Sequence, residues 1–267
     1  MKTMKQLLSK ENPIGYCLIP ILVFLLGRQV ICELLYYLLQ MIFALQGDKL
    51  QALVNGAADL IMIPVMWNCY VPKKETGSCK TSKAITMLGI GLLLCFMGMA
   101  ACLAGNGLLQ LTGLTKLLAA DYDNTTSVLY GGAVWMQIFW MVAAAPVAEE
   151  LVYRRILYGR IREYRGFWIS ALGASFVFGL THGFILQGIY GFGLGLLLCF
   201  VLERYKKLIS PILVHMAANA CSLIVTVCLP VQNWLSDTLH FGGIVLISVF
   251  ILAASIIYMR KTKEERK

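Results

Sequence analysis

The sequence is poor in charge. Only 14% of its 267 residues are charged, 59% are hydrophobic, and the mean hydropathy is +0.74. A soluble domain carries nearer ~25% charged residues, so a soluble globular protein and a disordered chain are both excluded. Acidic residues number 14 and histidines 3. The nine cysteines (Cys17, Cys32, Cys69, Cys79, Cys95, Cys102, Cys199, Cys221 and Cys228) form no CxxC pair and no Cys/His ligand spacing. They read as small hydrophobes inside apolar runs rather than as a disulfide framework or metal cage. Neither an HExxH helix nor a GxSxG turn is present, which removes sequence support for the zincin and serine-hydrolase routes. No basic stripe interleaved with aromatics argues for nucleic acid.

What is present is a series of long apolar runs, at roughly 14–45, 50–71, 84–111, 128–150, 167–186, 187–202, 208–229 and 241–259. They predict an all-α, polytopic membrane bundle of about eight transmembrane helices, forming a single integral domain over 1–267. The first run is too long for a cleavable signal peptide and reads as a span.

The formal charge of +9 resolves into topology. Lys2, Lys5 and Lys10, then Lys73, Lys74, Lys80 and Lys83, precede the first and third spans. Arg154, Arg155, Arg160, Arg162 and Arg165 follow the fourth, Arg204, Lys206 and Lys207 the sixth, and Arg260, Lys261, Lys263, Arg266 and Lys267 close the chain. Eight alternating spans put these 20 of the 23 basic residues on one side, leaving Lys49 and Lys116 opposite and Arg28 within the first span. The positive-inside pattern predicts a multi-pass protein of the plasma membrane with both termini cytoplasmic.

In so apolar a chain the ionisable residues inside spans carry the information, because each is costly to insert. Arg28, Glu33 and Asp59 fall in the first two spans and are expected to neutralise one another across a helix pair. Glu149 and Glu150 open the run Glu149-Glu150-Leu-Val-Tyr-Arg154. On a helix Glu150 and Arg154 are an i,i+4 ion pair in the favourable order, while Glu149 points about 100° away. Two adjacent carboxylates thereby differ, one held by Arg154 and one left in drier surroundings, as suits a structural carboxylate beside a general base. Phe178 stands one turn before His182, and His215 and Asn219 share a helix face. Together these groups supply a base for water, imidazoles to orient it and an Asn or His donor for an oxyanion. Equally, Glu149, His182 and His215 are candidate ligands for a Zn²⁺ ion with a water in its fourth position. Either arrangement hydrolyses.

The ordered motifs EExxxR (149–154), FxxxH (178–182) and HxxxN (215–219), with Gly193-Leu-Gly195 and Ser210-Pro211 between them, resemble the CPBP intramembrane proteases, also called the type II CAAX prenyl endopeptidase or Abi family. The resemblance covers about residues 140–225. It implies a helical bundle with a polar cavity open to the cytoplasm, and peptide-bond hydrolysis with Glu149 as general base assisted by His182. It further implies that His215 and Asn219 stabilise the oxyanion while Glu150 and Arg154 hold the site together. The family is described both as metal-dependent and as glutamate-dependent; Asn219 suits an oxyanion hole better than a zinc ligand. Arg155 departs from the pattern, where a small residue is expected.

The resemblance implies a peptide or protein substrate at the bilayer: a prenylated CAAX protein, a bacteriocin leader or a peptide pheromone. Two other classes fit less well: a non-catalytic bacteriocin immunity or scaffold protein, and an ion-coupled transporter, for which no inverted repeat is seen. Straight counting leaves one conflict. It puts Glu149 near the cytoplasmic end of its span and His182 some four turns into the next, a mismatch on the order of 10 Å. Extension of the fourth helix to about Tyr158 would remove it, and the apolar Leu151-Val152-Tyr153 favours that over a tilted fifth helix. Glycines 179, 183, 188, 191, 193 and 195 would permit close packing or a broken helix.

Overall fold

A computed structural model gives the fold and describes residues 6, 8–43, 50–71, 84–130 and 132–264. Lys2, Lys5, Lys49, Lys73, Lys74, Cys79, Lys80, Lys83, Arg266 and Lys267 lie outside the described residues. Among the described residues there are helices and turns and no strand. The helices are α1 (Pro13–Phe43), α2 (Gln51–Tyr70), α3 (Ala84–Leu111), α4 (Ala119–Tyr130), α5 (134–162), α6 (Phe167–Leu180), α7 (Ile185–Tyr205), α8 (Ile209–Val227) and α9 (Thr238–Glu264). Short helices at Leu114–Leu117 and Leu229–Leu235 join them.

Six of these, α1, α2, α3, α7, α8 and α9, are long and apolar enough to cross a membrane. Their outer faces keep large apolar side chains exposed, such as Leu26, Leu246 and Phe250, which a bilayer covers. The protein is an integral, multi-pass membrane protein. The expected series of about eight spans is altered in the middle. The fourth helix runs over 134–162 rather than 128–150, and the fifth stops at Leu180 after 14 residues. At ~1.5 Å per residue that is about 21 Å, short of a ~30 Å hydrocarbon core. The stretch between α3 and α5, expected as loop, is mostly helical.

α5 is the central helix, and α1, α2, α6, α7 and α8 all pack on it. One core joins α1, α2, α5 and α6 through Phe24, Met66, Leu157 and Phe178. A second joins α3, α7 and α8, with Met259 of α9, through Met97, Leu198 and Val214. Where α3 crosses α8 the backbones touch: a Cβ on Gly98 would run into the Val214 carbonyl oxygen and stand 2.8 Å from Ala217 Cβ.

The basic segments that the structure describes meet at one end of the bundle. The Arg160 guanidinium donates to the Tyr16 carbonyl and, at 3.0 Å, to that of Tyr70. Lys10 pairs with Glu163 at 2.5 Å. Glu203 gathers Arg162 (3.1 Å), Lys206 (2.7 Å) and the Tyr158 hydroxyl (2.6 Å), and Arg204 donates to the Met259 carbonyl at 2.8 Å. The start of α1 and the ends of α2, α5, α7 and α9 therefore share one face.

Arg28 and Asp59 form the expected pair, 2.6 Å apart, and Asp59 also accepts from the Trp140 indole at 3.1 Å. Glu33 takes no part; it accepts from Gln29 of its own helix at 2.7 Å. Eight of the nine cysteines are described and all eight are free thiols.

Candidate active site

The carboxylates sit where α5 changes its backbone register. Ile138–Ala144 and Glu150–Tyr158 are π-helical, with Ala145–Glu149 α-helical between them. Such wide turns are rare and concentrate at functional sites. A local cause is Pro146. In a π ladder residue 146 would donate to the carbonyl of residue 141, and proline has no hydrogen to give. Asn219 fills the gap, its Nδ2 donating to the Met141 carbonyl at 2.7 Å. The amide is thereby fixed with one N–H used and its second still available.

Glu149 and Glu150 stand at the seam between the two registers. Glu150 is fully buried. Its Oε1 lies 3.0 Å from Arg154 Nη1 and 2.9 Å from His215 Nδ1. The i,i+4 pair read from the sequence is therefore formed, and His215 of α8 joins it. Glu149 keeps 26% of its side chain exposed, and its Oε2 stands 3.7 Å from His215 Nε2. His215 thus bridges the enclosed carboxylate and the open one.

His182 lies in the turn between α6 and α7. Its Nδ1 donates to the Phe178 carbonyl at 2.7 Å, which leaves Nε2 as the lone-pair nitrogen of the neutral ring. Gly183, at φ +78°, turns the chain immediately afterwards. The His182 ring packs over Gly191 of α7, where a Cβ would stand 3.4 Å from Cε1. Gly179 and Gly188 let the two helices approach: a Cβ on Gly179 would be 2.7 Å from the Gly188 carbonyl oxygen. The broken helix anticipated from the glycines is real. The depth conflict also disappears, because α5 continues to Arg162 and His182 sits beyond the end of a short helix.

Phe178 organises these groups. Arg154 lies over its ring at 4.2 Å. His182 and His215 meet the ring edge-to-face at 4.6 and 5.9 Å, and Tyr153 does so at 5.0 Å. Thr181 gives its hydroxyl hydrogen to the Phe178 carbonyl (2.9 Å) and accepts from the Tyr153 hydroxyl (2.8 Å). Direct contacts thus join Glu149, Glu150, Arg154 and His215. His182 is linked to them through Phe178 and Asn219 through the α5 backbone; neither is hydrogen-bonded to Glu149. The apolar cavities of about 310 and 620 Å³ are lined by other residues.

A zinc site fits this arrangement poorly. Among the described residues no group of three or more His, Cys, Asp or Glu side chains is arranged to hold a metal ion. No contact draws His182 to Glu149, so the three candidate ligands do not converge on one point.

Residues 131–221 match the family described as Type II CAAX prenyl endopeptidase Rce1-like. That segment encloses all seven motif residues. Over that segment the chain is similar to this family, the one its motifs resemble. YdiL of Bacillus subtilis (strain 168), a proposed membrane peptidase, is 27% identical over 135 residues, 48% of this chain and 55% of YdiL. The chain thus spans about half the length of that relative. No solved structure matches it at a significant level.

Sequence reasoning named Phe178 without a role and missed Tyr153 and Thr181, all three inside or beside CPBP motifs. It also missed Asp121 of α4, which accepts from the Ile185 and Leu186 backbone N–H groups at 3.1 and 3.0 Å. Asp121 lies in a polar stretch outside the family segment, and no motif points to it.

Proposed function

We propose that the chain is an intramembrane endopeptidase that cleaves a peptide bond using water activated by Glu149, with the basic end of the bundle facing the cytoplasm. The observation that carries this reading is the division between neighbours. Glu150 is enclosed by Arg154 and His215, while Glu149 is partly open and takes no hydrogen bond from either. A carboxylate left open beside a neutralised twin is free to take a proton.

In the proposed reaction water adds to the scissile carbonyl carbon as Glu149 accepts its proton. In this reading His182 Nε2, whose lone pair is left by the Nδ1 bond to the Phe178 carbonyl, orients that water. The oxyanion is held by the second N–H of Asn219 and, when the ring is cationic, by His215 Nε2–H, with Glu150 as counter-charge. The intermediate collapses, the C–N bond breaks, and the proton on Glu149 passes to the leaving nitrogen. The family match and the peptidase relative support this chemistry. The substrate is a peptide or protein segment delivered at the membrane, of the CAAX, bacteriocin-leader or pheromone type.

The test is digestion of a defined peptide library by the purified protein in detergent, read by mass spectrometry. Glu149→Gln is expected to lower cleavage about 10²- to 10⁴-fold with an unchanged melting curve, and a chelator is expected to leave the wild type active. Wild-type turnover in the variant overturns the assignment. Chelator inactivation reversed by Zn²⁺ overturns the metal-free form of it.

A further inference from the structure

α7 begins without a cap of its own. Its first N–H groups have no partner within the helix, and Phe184, just before it, supplies no side-chain hydrogen bond. In a bilayer unpaired amides are costly. The missing acceptor comes from 64 residues upstream in the chain. Both carboxylate oxygens of Asp121 are used, Oδ1 on Ile185 N–H at 3.1 Å and Oδ2 on Leu186 N–H at 3.0 Å. Two bonds from one rigid carboxylate fix both the position and the direction of the helix start.

His182 precedes that start by three residues, across Gly183, whose left-handed φ leaves the linker few arrangements. The same helix also forms the floor under the imidazole, through Gly191. α7 therefore holds His182 from two sides, and Asp121 holds α7. We infer that Asp121 is a positioning residue for His182: its carboxylate clamps the start of α7 and thereby fixes where His182 Nε2 points.

The kinetic half of this inference rests on the endopeptidase reading above. The structural half does not, and the chain's three histidines make it separately readable. In protein labelled with ¹⁵N-histidine, Asp121→Ala is expected to shift or broaden the ring signals of His182 and spare those of His215 and His240. On a cleaved peptide, kcat is expected to fall about tenfold or more, since small misplacements are costly, with KM within about twofold. Asp121→Asn keeps one acceptor oxygen and should recover part of both effects; it carries the test if the alanine variant does not fold. Unchanged His182 signals in the folded variant overturn the inference whatever the kinetics. Shifted signals in a protein whose wild type cleaves no peptide leave the clamp standing and overturn the endopeptidase reading. Equal losses in kcat and melting temperature, with all three histidines disturbed, reduce Asp121 to a general structural cap.

Discussion

The functional weight at the residue scale falls on one enclosed ion pair. Glu150 and Arg154 are both fully buried, and the cation is met by Glu150 and by the Phe178 face. Glu150→Gln removes the anion and leaves the guanidinium. Breaking a buried pair from one side costs about 3–5 kcal/mol, so this variant is expected to melt earlier in detergent while Glu149→Gln does not. Equal melting temperatures would refute the division of labour between the two carboxylates. The pair itself was legible as an i,i+4 spacing in an apolar run. His215 as third member was not, because which nitrogen faces which carboxylate depends on the approach of α8. The π-helical turns were equally hidden, because Pro146 and the alanines around it are compatible with an ordinary helix.

Among the elements, the long spans were read nearly residue for residue, since an 18-residue apolar stretch has few alternatives in a membrane protein. The misreadings share a cause. α4 lacks an apolar stripe in its Asp121-Tyr-Asp-Asn-Thr-Thr run, so nothing periodic announces it. The break between the fifth and sixth runs is expected at 186–187 and falls at 181–184, because hydrophobicity is continuous there and only glycines mark the turn. Helix contacts carry the next prediction. α8 presents His215 and Asn219, and it meets α3 backbone-to-backbone at Gly98. Gly98→Val would drive the two helices apart, an overpacking that costs about 1–3 kcal/mol. The expected result is a lowered melting temperature with a loss of cleavage larger than the stability change alone explains. A variant as stable and active as wild type would show that α8 is positioned by other contacts.

For the whole molecule, the charge count anticipated that the basic segments converge, and Arg160, Glu203 and Arg204 show the bonds that gather them. α6 has a consequence of another kind. Its outer face, with Trp168, Phe176 and Leu180 exposed, meets lipid, yet its 14 residues reach about 21 Å across a ~30 Å core. The turn that carries His182 is level with the start of α7, and the acyl chains around α6 must compress to match its short reach. Such hydrophobic mismatch makes the host membrane part of the protein's working conditions. Reconstituted into vesicles of graded acyl-chain length, the protein is expected to cleave fastest in the thinner bilayers. A rate indifferent to thickness would mean that the short helix is shielded from lipid. Where the expectation holds, lipid composition alone would set the rate of cleavage in a cell, with no change in the protein or its substrate.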